Sequence, residues 1–137
     1  MVGNPAKLLL QHLNATTTTC HEFTRTEQLR EECRNADIII TATGIRGLIN
    51  GKDVKRGALV IDVGTNVDED GKCWGDFDAT VSDHGEFTYT PVPGGIGPLT
   101  VTMLLRNLFV CWRKTNHARL YKRNFVRSLM SPNVNFL

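Results

Sequence analysis

Residues 37–44 read DIIITATG and residues 58–65 read ALVIDVGT, and these two stretches are the strongest indication of the fold class. Each contains a run of apolar, mostly β-branched residues that leads to a glycine. Strands covered on both faces show such unbroken runs, whereas half-exposed strands alternate apolar and polar residues. The stretches therefore predict two strands, residues 37–42 and 58–63, in an α/β fold with a parallel sheet flanked by helices.

Further elements follow from capping and turn signals on either side of these strands. Asn4 before Pro5 indicates a helix start with proline at its first position. Thr24 and Glu27 have the spacing of a capping box. The sequence predicts helices at residues 5–13 and 24–35, strands at residues 16–20 and 87–90, a surface turn at residues 68–71, and a last helix that begins at Pro98.

Charge is distributed unevenly along the 137 residues, although the formal net charge is only +2. Residues 106–137 contain seven Lys or Arg and no Asp or Glu, whereas residues 1–105 contain nine basic and fourteen acidic residues. The length suits one domain and excludes a two-domain enzyme within these residues. We therefore expect one mildly acidic domain followed by a basic tail.

The four cysteines are far apart in the sequence, and no C-x-x-C pair suggests zinc or a redox dithiol. We interpret them as reduced thiols in a reducing compartment, which is the cytoplasm or the mitochondrion. No apolar run approaches the ~20 residues of a membrane span. The start of the sequence lacks the pattern of a secretory signal.

Small residues follow three of the predicted strands: Thr43-Gly44, Gly64-Thr65 and the loop of residues 91–98. Ligands of open parallel sheets bind outside the carboxyl ends of the strands, where glycine lets a ring or phosphate approach the backbone. A single glycine after a strand indicates no more than a turn. Three such corners in one chain favour a nucleotide-binding crevice.

The same residues resemble a family of folate one-carbon metabolism, the bifunctional methylenetetrahydrofolate dehydrogenase/cyclohydrolases. Residues 91–100, PVPGGIGPLT, look like the family signature PVPGGVGPMT. Three further stretches are similar to family motifs in the expected order: residues 36–44 to ADIIIxAxG, residues 60–66 to VIDVGIN and residues 75–78 to GDVDF. The resemblance covers about residues 2–110.

The resemblance implies a Rossmann-like NAD(P)-binding domain over residues 1–112 and a basic amphipathic tail over residues 113–137. In the family, a first strand with a Gly-Arg-Ser loop precedes the segment that begins here at Val2. We therefore expect the sheet to lack its first strand. We also expect the chain to lack the family's lysine-bearing catalytic domain and to be inactive alone. The implied reaction is hydride transfer from 5,10-methylenetetrahydrofolate to NAD(P)+.

Site residues are carried over from the family position by position. The implied cofactor-binding residues are Gly3, Glu22, Thr43, Gly44, Gly64, Thr65 and Thr100. The implied substrate-binding residues are Pro93, Gly94 and Gly95, and the substrate is a tetrahydrofolate. The cofactor is NADP or NAD. Glu22 stands where NADP-using members have Ser or Arg, and a carboxylate there favours NAD because it repels a 2′-phosphate. The alternative is a solvated surface glutamate.

No residue is predicted to be catalytic or to bind a metal. Cyclohydrolysis needs acid or base assistance to an attacking water, but the histidines His12, His21, His84 and His117 are interpreted as structural or solvated. Asp62 lies within an apolar strand and is predicted to be a buried, hydrogen-bonded structural carboxylate.

The tail leaves two interpretations open. Basic residues alternate with apolar ones at positions 113–130, and Ser131-Pro132-Asn133 is expected to end the helix. Such a helix binds RNA or an anionic membrane, or it packs its apolar stripe against this subunit, a second copy or the catalytic domain. Three functions remain: a folate-linked dehydrogenase segment, an inactive remnant or regulatory fragment, and a nucleic-acid or membrane-binding module.

Overall fold

The computed structural model of the chain describes residues 2–82 and 85–129, with side chains described as far as residue 116. The described chain divides into two units between Pro98 and Leu99. The first unit contains all seven described strands, and the second begins within the last helix. In chain order the elements are α1 (Gly3–His12), α2 (Thr26–Asn35), β1 (Ile38–Thr41), β2 (Ile49–Asn50), β3 (Leu59–Asp62), β4 (Asn66–Val67), β5 (Cys73–Trp74), β6 (Phe77–Asp78), β7 (Thr88–Tyr89) and α3 (Ile96–Leu129).

The main sheet has the strand order β1-β3-β7, and its strands run parallel. Leu59 of β3 pairs with Ile38 on one side and with Thr88 on the other. The predicted α/β fold with a parallel sheet is confirmed. Each of these three strands is one residue shorter at both ends than the sequence predicts.

The core of the first unit is a cluster of six buried apolar side chains: Cys33, Ile39, Ile49, Val54, Ala58 and Val60. Leu29 packs against this cluster one helical turn before Cys33 on α2. Burial alternates along β1, where Ile39 is buried and Ile38 is 54% exposed. The expectation that both faces of this strand are covered is therefore wrong at Ile38, because the buried cluster lies on the Ile39 face.

Helices α1 and α3 both begin two residues before the proline that predicts their start. α1 begins at Gly3 rather than Pro5, and α3 begins at Ile96 rather than Pro98. Each proline is then the third residue of its helix, where a backbone N–H has no partner within the helix. The missing N–H of proline therefore costs nothing at this position either, and Asn4 lies inside α1 instead of capping it.

The strand predicted at residues 16–20 is absent from the structure, where this segment forms no backbone ladder. β1 is an edge of the described sheet and pairs only with β3. Four threonines in a row favour an extended chain, but a strand also needs a neighbour with which to exchange hydrogen bonds. Without such a neighbour among the described residues, the propensity of the segment is not sufficient.

The capping box predicted at Thr24 is also wrong, and α2 begins at Thr26. The Thr24 hydroxyl accepts a hydrogen bond from the backbone N–H of His21 at 3.0 Å. The Thr24 N–H donates to the His21 carbonyl at 2.8 Å. These two bonds close a turn at residues 21–24, and the Thr24 hydroxyl therefore serves this turn and not the helix.

Four short strands that the sequence does not predict form two small sheets. β2 and β6 pair in parallel, and β4 and β5 pair as an antiparallel hairpin. The hairpin contains the surface turn predicted at residues 68–71, where the Asp68 N–H donates to the Lys72 carbonyl at 3.1 Å. Gly71 has a φ of +78°, a value that glycine adopts without strain.

Helix α3 continues without a break to Leu129, so the predicted tail begins inside it. The helix end predicted at residues 131–133 lies outside the described residues, and the boundary at residue 112 stays a prediction. Five apolar side chains of α3 are 59–68% exposed: Val101, Leu104, Leu105, Leu108 and Trp112. None of the helices in the described ranges combines the length and the hydropathy that crossing a membrane requires.

Burial of Cys33 leads to a prediction about pH. Burial raises the pKa of the Cys33 thiol to about 11, and the neighbouring Cys20, Asp53 and Glu32 add to the shift. The unfolded thiol titrates at about 8.5. The folded chain therefore retains a proton that the unfolded chain releases, and this contribution to the free energy of unfolding is lost as the pH rises from about 8.5 to about 11.

Urea denaturation at pH 8 and pH 10.5 measures this loss. We expect Cys33→Ala to lose less stability between the two pH values than the wild type. The matched control Cys111→Ala, at an exposed cysteine, should keep the wild-type dependence. Equal losses in all three proteins would contradict the assignment.

Candidate functional site

The three small-residue corners that the sequence singles out follow β1, β3 and β7. Thr43-Gly44 comes two residues after β1, Gly64-Thr65 comes two residues after β3, and the loop of residues 91–95 follows β7. Because these strands are parallel neighbours, their carboxyl ends lie at one edge of the sheet. The corners are therefore gathered at the edge where open α/β sheets bind ligands.

Asp76 is the residue to which the first corner is attached. Its side chain is 0% exposed and accepts four hydrogen bonds. Oδ2 accepts from the Thr43 N–H at 2.6 Å, the Thr43 hydroxyl at 2.9 Å and the Gly44 N–H at 3.1 Å. Oδ1 accepts from the Asn66 side-chain amide at 2.9 Å. Asp76 thus joins the end of β1 to the start of β4.

Asp62, the last residue of β3, forms a second buried acceptor that is 2% exposed. It also accepts four hydrogen bonds: from the Thr41 hydroxyl at 3.0 Å, the Gly64 N–H at 2.9 Å, the Asp76 N–H at 3.2 Å and the Phe77 N–H at 2.9 Å. The prediction of a buried, hydrogen-bonded structural carboxylate is confirmed. We call Asp62, Asp76 and their eight donors the carboxylate network.

Two glycines make room for the two carboxylates. A Cβ on Gly64 would overlap the carboxylate of Asp76, and a Cβ on Gly75 would overlap the carboxylate of Asp62. Asp76 therefore lies against Gly64, which is two residues after Asp62 in the sequence. Asp62 lies against Gly75, which immediately precedes Asp76. This gives Gly64, a predicted cofactor-binding residue, a structural reason to be glycine; a contact of Gly64 with a cofactor stays a prediction.

Thr90 joins the third corner to Asp62. The Thr90 hydroxyl accepts a hydrogen bond from the Asp62 N–H at 2.8 Å, and the Thr90 N–H donates to the Val60 carbonyl at 3.0 Å. Val92 lies 3.1 Å from the position that a Cβ on Gly75 would take. The start of the 91–95 loop thus packs beside the carboxylate network.

The β4–β5 hairpin lies beside the first corner through Arg46. The Arg46 guanidinium stacks 3.7 Å from the centre of the Trp74 ring, and the Lys72 ammonium lies 4.0 Å from it. The Trp74 indole N–H donates to Asp68 at 2.8 Å, and this hydrogen bond lowers the pKa of Asp68. These contacts attach the chain just after Gly44 to the hairpin.

Two glycines of the corners, Gly44 and Gly94, leave open space beside the backbone. Gly44 has a φ of +72°, Gly94 has a φ of +103°, and no atom lies within 4 Å of where a Cβ would be at either. Thr65 and Pro93 are exposed. Bare backbone bordered by exposed small side chains lets a ligand approach closely. A contact of these residues with a dinucleotide stays a prediction.

The remaining predicted site residues lie elsewhere in the described chain. Gly3 is the exposed first residue of α1, and Glu22 is exposed in the turn that Thr24 closes. Thr100 lies on α3, in the second unit. Gly95 is half-buried, and a Cβ on it would overlap the Pro91 carbonyl. Their roles as ligand contacts stay predictions.

The two histidines whose side chains the structure describes, His12 and His21, are exposed and make local hydrogen bonds. His12 Nδ1–H donates to the Leu8 carbonyl at 3.2 Å, and His21 Nδ1 accepts from the Phe23 N–H at 3.2 Å. His84 and the side chain of His117 lie outside what the structure describes. Within the described ranges, no three His, Cys, Asp or Glu residues are grouped as metal ligands.

Sequence reasoning missed the roles of Asp76 and Asn66. Asp76 is 33 residues from Thr43 in sequence and 14 residues from Asp62. The signal that could have identified it is the pairing of aspartate with glycine in two separate motifs, Asp62-Val63-Gly64 and Gly75-Asp76. A glycine beside a buried carboxylate indicates that another group approaches its backbone.

Comparison with known proteins places the chain among folate enzymes. Residues 1–116 match the family model described as "Tetrahydrofolate dehydrogenase/cyclohydrolase, NAD(P)-binding domain". The bifunctional protein FolD of Brevibacillus brevis is 51% identical over 116 residues, which cover 83% of this chain and 39% of the relative. FolD of Paraburkholderia xenovorans is 50% identical over 107 residues, which cover 78% of this chain and 37% of the relative.

Solved structures show the same relationship. FolD of Trypanosoma brucei, complexed with NADP cofactor and inhibitor, has a TM-score of 0.75 at 38% identity, covering 82% of this chain and 40% of that one. FolD of Campylobacter jejuni has a TM-score of 0.70 at 43% identity, covering 77% and 37%. This chain spans about two fifths of the length of these relatives. It belongs to the tetrahydrofolate dehydrogenase/cyclohydrolase family and corresponds to the NAD(P)-binding domain of that family.

Proposed function

We propose that this chain binds NAD(P)+ for the oxidation of 5,10-methylenetetrahydrofolate. The observation that carries the proposal is the gathering of three glycine corners at the carboxyl edge of a parallel sheet, in a chain of this family. The nicotinamide ring accepts a hydride from the methylene carbon of the folate. The part left to the protein is to bind the ring, orient it and exclude water.

The residues after β1 and β3 form the cofactor side of this proposed site. Gly44 offers open backbone, and Thr65 offers an exposed hydroxyl beside Gly64. A side chain at Gly44 would occupy the space through which a flat ring reaches the main chain. In this proposal Thr43 acts through its backbone position, because its N–H and hydroxyl both donate inward to Asp76.

The 91–95 loop forms the substrate side. Pro93 and Gly94 are exposed, and the left-handed φ of Gly94 turns the chain there without a side chain in the way. Gly95 packs so closely on the Pro91 carbonyl that the loop folds back on itself. A loop of this shape, joined to Asp62 through Thr90, would close on a pterin ring placed against the nicotinamide.

Turnover and cyclohydrolysis are proposed to need residues beyond those in this chain. The match covers two fifths of the relatives, and no acid or base has been identified among the described residues at the corners. The exposed apolar side chains of α3 are a surface that the rest of a longer protein, or a second copy, would cover. We also propose a reducing compartment, cytoplasmic or mitochondrial, since all four cysteines are free.

Cofactor choice is proposed to depend on Glu22. The turn at residues 21–24 presents this exposed carboxylate just before α2. A carboxylate accepts hydrogen bonds from a free ribose hydroxyl and repels a 2′-phosphate. We therefore propose that the chain prefers NAD to NADP, in contrast to the NADP found in the Trypanosoma brucei structure.

Calorimetric titration of the chain with NAD and NADP tests the proposed function. We expect at least one dinucleotide to bind, and Gly44→Ala to weaken that binding about tenfold because a Cβ fills the open side of the corner. Gly57→Ala is the matched control: Gly57 has a similar φ of +77° and open surroundings, but it precedes β3 and lies at the opposite edge. A wild-type chain that binds neither dinucleotide refutes the proposal.

The ratio of the NADP affinity to the NAD affinity is expected to depend on Glu22. Glu22→Gln removes the charge at constant size and is expected to raise NADP affinity relative to NAD roughly tenfold, because one repulsion is lost. Glu27→Gln, at an exposed glutamate in the first turn of α2, should leave the ratio unchanged. An unchanged ratio in Glu22→Gln means that Glu22 is a solvated surface residue.

A further inference from the structure

We propose that Asp76 is a positioning residue of the dinucleotide site: its buried carboxylate occupies the anion-binding turn at Thr43-Gly44 and thereby fixes the open face of Gly44 toward the ligand. The proposal rests on the proposed dinucleotide-binding function and adds a residue to it that contacts no ligand. It is carried by the geometry of the carboxylate network.

Three donors of the first corner converge on one oxygen of Asp76. The successive N–H groups of Thr43 and Gly44 and the Thr43 hydroxyl all donate to Oδ2 of Asp76, at 2.6, 3.1 and 2.9 Å. Successive N–H groups that point to one anion form a concave nest, the arrangement that binds phosphate in many nucleotide-binding loops. Here the nest contains a carboxylate of the protein itself.

The direction of these N–H groups limits what a ligand can contact at the first corner. Since the two N–H groups are directed inward to Asp76, the nest is not available to a cofactor phosphate. Gly44 instead presents its open side, where no atom lies within 4 Å of the Cβ position. The corner therefore offers a flat surface for a ring, and Asp76 determines the direction in which that surface faces.

Asp76 is itself held in place by its neighbours. Its N–H donates to Asp62, its Oδ1 accepts from Asn66, and Gly64 leaves the space that its carboxylate fills. With 0% exposure, the side chain has no solvent-filled space in which to move. The position of the Gly44 backbone is thus set by a rigid buried acceptor rather than by the loop alone.

Asp76→Asn tests the proposal at nearly constant volume. The amide has one acceptor oxygen instead of two, and its NH2 would face either the donors of the nest or the donor amide of Asn66. We expect dinucleotide affinity to fall about tenfold or more, measured by calorimetry on the intact chain at a temperature where circular dichroism shows it folded.

Asp53→Asn is the matched control for a merely structural loss. Asp53 is also buried, at 5% exposure, and accepts from the Asn50 N–H beside Arg30, away from the three corners. We expect this variant to lower the melting temperature and to leave dinucleotide affinity within about twofold of wild type. Equal losses of affinity in both variants would show that general destabilisation is the cause and would overturn the proposal.

A milder pair of variants keeps the test valid if Asp76→Asn does not fold. Thr43→Val removes one donor to Asp76 at constant shape, and Thr43→Ser retains it. We expect Thr43→Val to weaken dinucleotide binding about threefold, and Thr43→Ser to bind more tightly than Thr43→Val because serine retains the hydroxyl donor. Wild-type affinity in a folded Asp76→Asn, or in Thr43→Val, overturns the positioning role alone. A wild-type chain that binds no dinucleotide overturns the proposed function, and this inference with it.

Discussion

Two buried carboxylates, Asp62 and Asp76, are the constraint on which the rest of the first unit depends. Eight donors from β1, β4, β6 and the turns beside them converge on the four oxygens of these two side chains. An ionised carboxylate has about four acceptor positions, so both groups are fully used. Burial of an unpaired charge is very unfavourable, and the fold must therefore bring these donors together or not form at all.

The same hydrogen bonds hold the three corners at the carboxyl edge of the main sheet. Corners that follow different strands would move independently if each were an ordinary loop. Here Thr43 and Gly44 are attached to Asp76, Gly64 to Asp62, and the last corner to Asp62 through Thr90. The three corners are therefore joined to one another through buried polar contacts. A preorganised edge of this kind reduces the ordering cost of binding a dinucleotide.

The fold could be predicted from the sequence where local pattern and burial agree. The apolar runs around Val60 and Ile39 became parallel strands because both stretches pack into the core. Residues 16–20 also favour an extended chain but have no neighbour to pair with among the described residues, and Thr24 makes a turn rather than a cap. The glycine corners were visible as a pattern after strands. Asp76 was not, because its donors come from residues 10 to 33 positions away and no sequence period links them.

Amide hydrogen exchange of the ligand-free chain reports on each N–H donor of the carboxylate network separately. If the carboxylate network ties the strand ends together, the amides of Gly44, Gly64 and Phe77 will exchange as slowly as that of Val60 in the middle of β3, since all open only when the unit unfolds. Exchange at these three amides as fast as in an unstructured peptide, with Val60 still protected, would contradict the account.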